Sequence, residues 1–251
     1  MRFGDLTYHE IAREASRGAL AVVPLGCTEQ QGPHLPVGFD TWFADTLMIT
    51  ASEVAEDRFG IRSLVLPTLP FGSTHEHISY GAGYIDLPQA LHEGVVAAVL
   101  RSLSAQGFKR IVVWPGCGGH DVGQAVGAFN VGSNRATVVV ADPPFEETWR
   151  REGLPDVEGG HADSFTTSLM LHRRPNDVRR EEVPPTPSKQ PDRTGSELDF
   201  KRYSESGVIG DARHASAELG ERLWSACVDR AADFLWEAAH QPIDSSNREP
   251  V

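Results

Sequence analysis

Pro24-Leu-Gly-Cys-Thr-Glu-Gln-Gln-Gly-Pro-His-Leu-Pro-Val-Gly-Phe-Asp40 overlaps and continues the apolar run Ala19 to Leu25. A buried strand that breaks into a loop bearing polar groups is how open α/β sheets hold their chemistry, beyond the carboxyl ends of the strands. Here the loop carries Glu29 and Asp40, a pair suited to a divalent ion or to acid–base work. Pro33 and Pro36 limit how far it can drift.

Outward from this stretch, apolar runs alternate with patterns of period 3.6, which predicts parallel βα units. Strands are expected at Ala19 to Leu25, Ser63 to Leu69, Arg110 to Trp114 and Thr137 to Ala141. Helices are expected at Thr41 to Ala55, Pro88 to Leu103, Val122 to Phe129, Ser164 to Leu171 and Ala215 to Ala239. Between Pro175 and Ala212 the chain is rich in Pro, Arg, Glu and Ser with little periodicity, and a long surface excursion is expected there. The whole, residues 1–251, reads as one α/β domain with a mostly parallel sheet.

The unusual chemistry falls in four loops expected at one sheet edge. They are Cys27 to Asp40 with Glu29, Gln31 and His34, then Gly72 to Gly83 with Thr74, His75, Glu76 and His77, then Gly116-Cys-Gly-Gly-His120, and Glu158-Gly-Gly-His-Ala-Asp163. Lone histidines in Gly/Pro-rich loops usually bond backbone carbonyls. The gathering of His34, His75 and His77 with Glu29, Glu76 and Asp40 favours a pocket. For Glu29 and Asp40 the plainer alternative is capping of the loop backbone.

The motifs in these loops resemble those of the creatininase family of metal-dependent amidohydrolases. The family's signature reads roughly Gly-Ser-x-Glu-Gln-His-Gly-Pro-His-Leu-Pro followed by an Asp, which Gly26 to Asp40 matches except that the metal-binding His is Gln31. Its Asn-Gly-His-Gly-Gly-Asn loop reads Pro115-Gly-Cys-Gly-Gly-His120, its His-Ala-Gly-x-x-Glu-Thr-Ser run reads His161 to Ser168, and its Gly-Val-x-Gly-Asp run reads Gly207 to Asp211. The resemblance implies a three-layer αβα sandwich, commonly assembled into hexamers. It implies a first metal site at Glu29, Asp40 and Cys117, where a thiolate replaces imidazole on zinc. The second site loses its His to Gln31, and its Glu positions read Gly119 or Thr166. One zinc per chain at Glu29, Asp40 and Cys117, with His120 or His161 as a further ligand, is therefore the expectation, with a metal-free pocket as the alternative.

On this resemblance the reaction is hydrolysis of a small cyclic amide or related C–N bond by a metal-activated water. His161 serves as proton shuttle or substrate contact, Thr74 and Glu76 orient the substrate, and Gln31, His34 and His77 line its pocket. A second reading drops the metal: Cys117, near a helix N-terminus that would lower its pKa, acts as nucleophile with His120 or His161 as base. A third is a non-catalytic binding member. Cys27 and Cys117 could share a metal or act as a redox pair.

Composition excludes other classes. A net charge of −12 and a pI near 5.2 leave no basic footprint for nucleic acid. No run approaches the roughly 20 apolar residues of a membrane span, and the start lacks a signal-peptide core. Three cysteines without zinc-finger or CxxC spacing predict reduced thiols and a cytoplasmic protein.

Overall fold

All six residues of β1 (Leu20–Leu25) are buried, because this strand is covered on both faces. The computed structural model describes residues 1–132, 136–154, 156–157, 159–188 and 198–242. Around β1 lie β2 (Ser63–Val65), β3 (Arg110–Pro115) and β4 (Thr137–Val140) in the order β2-β1-β3-β4, every pair parallel. The strands alternate between two cores. Leu20, Val22, Val65, Val112 and Trp114 face α2 (Phe39–Phe59), α6 (Ser164–Arg173) and α7 (Ala217–His240). Ala21, Val23, Leu25, Ile111 and Val113 face α1 (Tyr8–Ser16), α3 (Gln89–Ala105) and α4 (Gly123–Val131). A fully buried Leu or Val in either core is worth about 1.5–3 kcal/mol. This is the expected αβα sandwich.

Four differences from the sequence reading bear on function. The helix after β1 begins at Phe39, so Asp40 sits in the first turn of α2 and not in the loop. Gly26 permits this, since a methyl there would fall on the Thr41 backbone, 2.7 Å from its Oγ1. Beyond Val65, Pro67 and Pro70 lack N–H groups and the regular strand stops. The chain still follows β1 through Leu66 N–H to Val22 O and Leu69 N–H to Pro24 O.

The fourth loop is not at a strand end. It lies between α5 (Phe145–Glu152) and α6, with Glu158 outside the described residues. Nor is the 175–212 stretch wholly superficial: Phe200, Val208, Ile209, Asp211 and Ala212 are buried. Ile209 pairs antiparallel with His161, and Ser188 with Gly210. Backbone bonds in both directions between His161 and Ile209 join this arm to the fourth loop. Residues 189–197 lie outside the described ones.

Candidate active site

Glu29 stands where the β1 loop, the β3 loop and the His161 loop meet, 2% exposed. Its Oε1 is 3.1 Å from His161 Nε2 and accepts from Gln31 Nε2 at 3.2 Å. Its Oε2 accepts from Cys27 Sγ at 3.1 Å and Cys117 Sγ at 3.4 Å, and lies 3.5 Å from His77 Nε2. Asp40 Oδ2 accepts from Gln31 Nε2 at 2.7 Å and from Cys27 Sγ at 3.3 Å. The Gln31 amide thus spans the two carboxylates.

The tautomers of two histidines follow from their neighbours. Gly32 N–H donates to Gln30 Oε1 at 2.9 Å, which orients the amide so that Nε2 donates to Gly207 O at 3.2 Å and to His77 Nδ1 at 3.0 Å. His77 therefore carries its proton on Nε2, toward Glu29. His161 Nδ1 lies 2.8 Å from the Gly207 carbonyl, which can only accept, so that nitrogen is protonated and Nε2 is turned to Glu29. The phenyl ring of Phe200 closes the site, 5.0 Å from the His77 ring and 5.5 Å from that of His161. Ala162, next to His161, holds φ at +50°, a left-handed conformation that a non-glycine residue adopts at a cost.

Electrostatics divides the two carboxylates. Burial raises Glu29, but the His161 hydrogen bond and the His77 and His161 charges outweigh it and hold the carboxyl down to about 2. Burial and the neighbouring Glu29 push Asp40 well above the usual carboxylate range. Burial lowers His161, yet Glu29 makes it a stronger base than usual. Burial takes His77 and His120 down to about 4.

The expectation of a low-pKa Cys117 is corrected. Cys27's hydrogen bond lowers the thiol, but burial, Glu29 and Asp40 push it up to about 12. The helix after it, α4, does not begin until Gly123. A metal-free thiolate at Cys117 therefore lacks its activating environment.

Of the residues singled out in the sequence, Glu29, Gln31, Asp40, His77, Cys117 and His161 converge. Glu76 Oε1 lies 4.0 Å from His77 Nε2 and packs over Gly119, 3.0 Å from where a β-carbon would stand. Among the described residues His34 and Thr74 bond elsewhere: His34 Nε2 pairs with Thr167 Oγ1 at 2.8 Å, and Thr74 N–H donates to Asp86. Both are buried. His75 is exposed, 3.8 Å from Asp86. Gln30 and Gly207 stand in the sequence only as parts of matching runs, and nothing there singles out Phe200. Gly118 is exposed and Cys117, Gly119, His120 and Glu76 are half-buried, so solvent reaches the cluster from the β3 loop. A separate cleft of about 570 Å³ beside Arg2, Trp42 and Asp45 contains none of these side chains.

Donor atoms suited to a metal form three overlapping groups, each with all atoms within 4.8 Å: Cys27, Glu29 and Asp40; Glu29, His77 and His161; Cys27, Cys117 and His120. Neither Glu29 nor Asp40 pairs with a lysine or arginine among the described residues. Buried carboxylates without such partners, beside imidazoles and thiols, fit a divalent cation.

The structure is an α/β fold whose parallel sheet carries, beyond its carboxyl edge, a cluster of donors suited to a metal. The chain belongs to the creatininase family: the Creatininase profile, described as creatinine amidohydrolase, matches residues 4–235. It is a hydrolase of that family. A mycofactocin precursor peptide peptidase from Mycobacterium tuberculosis (strain CDC 1551 / Oshkosh) is 33% identical over 238 residues, 90% of this chain and 88% of that protein. A creatinine amidohydrolase from Pseudomonas putida is 29% identical over 256 residues, 93% of this chain and 95% of that one. A solved mutant creatininase, Zn-Zn type, superposes with a TM-score of 0.77 at 26% identity, covering 96% of this chain and 98% of that one. No helix among the described residues is long and apolar enough to cross a membrane.

Proposed function

We propose that this protein hydrolyses an amide C–N bond of a small molecule, a cyclic amide in the first instance, with a water activated by one bound divalent metal, zinc by preference. The observation that carries this reading is the buried Glu29, whose two oxygens face imidazole on one side and thiols on the other. Glu29, Asp40 and Cys117, the positions that the family resemblance assigns to the first metal, would hold the ion. Bound there, it would supply a nucleophilic hydroxide near neutral pH and polarise the carbonyl.

The chain's own residues do the rest. His161, its ring fixed by the Gly207 carbonyl, hands a proton from Nε2 to the departing nitrogen as the C–N bond breaks. Glu29 stabilises the charged form of that ring. Glu76, at the solvent side, orients the substrate, Thr74 beneath it holds the Glu76 loop through its bond to Asp86, and Phe200 keeps water from the imidazoles. Assembly into a homo-oligomer, a hexamer by resemblance, belongs to the same proposal.

The peptidase relatives favour a second reading, in which the same water cleaves a peptide bond. Both are tested with metal-loaded protein on a panel of cyclic amides and short peptides, alongside His161→Gln. Metal-dependent turnover that falls by about 10²-fold or more in the variant is expected. Full activity in chelator-treated protein would overturn the mechanism, and turnover of peptides alone would select the second reading.

A further inference from the structure

Gln31 decides where a cation does not sit. Its amide nitrogen, a neutral donor, bonds Glu29 Oε1 and Asp40 Oδ2 together and fills the gap between these carboxylates on that side. The oxygen left facing other donors is Glu29 Oε2, which meets His77 Nε2 at 3.5 Å on one side and sulfur on the other. Cys27 Sγ and Cys117 Sγ approach it at 3.1 and 3.4 Å. In a tetrahedral zinc centre with Zn–S of ~2.3 Å and Zn–O of ~2.0 Å, neighbouring sulfur and oxygen ligands stand about 3.5 Å apart, so the space these groups border has the scale of such a centre.

A third donor completes the set. His120 follows Cys117 in the β3 loop, and its ring nitrogen lies within 4.8 Å of both sulfurs. Both ring nitrogens are shut off from solvent and have no hydrogen-bond partner among the described residues. An enclosed imidazole without a partner requires an explanation, and an ion is one. The fold makes room for that ring: a methyl at Gly72 would fall on His120 Nε2. Two thiolates and an imidazole, with one further position, are a known donor set for catalytic zinc.

We propose that Cys27, Cys117 and His120 together hold one zinc ion, displaced from the Glu29–Asp40 pair toward the sulfur side, with its fourth position open to water beside Glu29 Oε2. This rests on the metal-dependent reading above and changes its ligands, adding Cys27 and His120 and leaving Asp40 with Gln31. On binding, both thiols would lose their protons to solvent and form two S–Zn bonds, while His120 would enter neutral and Glu29, a carboxylate, would border the fourth position.

The test uses the full chain stripped of metal and titrated with cobalt(II), read by absorption. Wild type is expected to bind one ion with an intense thiolate-to-cobalt band. Cys27→Ser and Cys117→Ser each remove about half of that band, and His120→Ala weakens affinity at least about tenfold. Asp40→Asn keeps both the ion and the band. Independently of any variant, zinc added to wild type should release about two protons per ion and protect two thiols from alkylation. A bound ion without the sulfur band, no proton release, or loss of the ion in Asp40→Asn but not in Cys27→Ser would overturn the assignment and leave the hydrolase reading standing. Failure of folded wild type to bind cobalt or zinc would overturn both.

Discussion

Gly207→Ala is the sharpest probe of how the 198–212 arm holds the site. Gly207 has φ of +84°, where an L side chain costs roughly 1–2 kcal/mol. The new methyl would also fall on the Gln30 amide, so that side chain must leave. Its departure breaks three hydrogen bonds, from Gly32 N–H at 2.9 Å, to Gly207 O at 3.2 Å and to His77 Nδ1 at 3.0 Å. Gly207 O keeps His161, but Gly32 N–H and His77 Nδ1 are orphaned, for about 2–3 kcal/mol in all. The single variant is therefore expected to lose about 3–5 kcal/mol, and Gln30→Ala about 2–3 kcal/mol. In the double variant the Gln30 bonds are lost only once. Its cost should again be about 3–5 kcal/mol, a coupling of about 2–3 kcal/mol. Urea unfolding with a common m-value measures all four corners. Additivity within about 0.5 kcal/mol would refute the shared-space argument.

Two further outcomes are expected. Burial holds His77 down to about 4, against ~6.5 in the unfolded chain, so between these values the unfolded state takes up the proton first and this contribution to stability is lost as pH falls. In metal-free protein His77→Gln should reduce the pH dependence of unfolding free energy over that window by about one proton; an unchanged slope would show that His77 titrates normally. Gln31→Glu places a third carboxylate against two others, 3.2 and 2.7 Å away, and should destabilise the metal-free chain by about 3 kcal/mol or more. Added divalent metal should restore its melting temperature more than it raises that of wild type, and equal shifts would count against a cation-deficient cluster.

How much of this was legible in the sequence follows from which interactions are local. β1 and β3 could be read because strands covered on both faces are continuous apolar runs. α1 was missed although Thr7 and Glu10 form a capping box, since its nine residues are mostly polar. α5, with the sequence Phe-Glu-Glu-Thr-Trp-Arg-Arg-Glu, was hidden behind Pro143-Pro144. Asp40 was placed in the loop because Gly38 before α2 offers no side-chain cap as a signal. The site's motifs marked Glu29, Asp40 and His161, but which oxygen meets which nitrogen depends on contacts between distant segments. Burial of the arm around Ile209 had no periodicity to announce it, because that arm is fixed by a two-residue bridge and not by a regular element.

The antiparallel bridge between His161 and Ile209 has a consequence for the newborn chain. Glu29 emerges from the ribosome long before His161, 132 residues later, and Gln30 waits 177 residues for Gly207. Contacts so far apart in sequence close last, since the intervening loop must first surrender its entropy. The βα core around β1 and β3 can therefore condense while its thiols and carboxylates still lack the arm that fixes the two imidazoles. Translation itself thus delays chemical competence until the C-terminal third has docked.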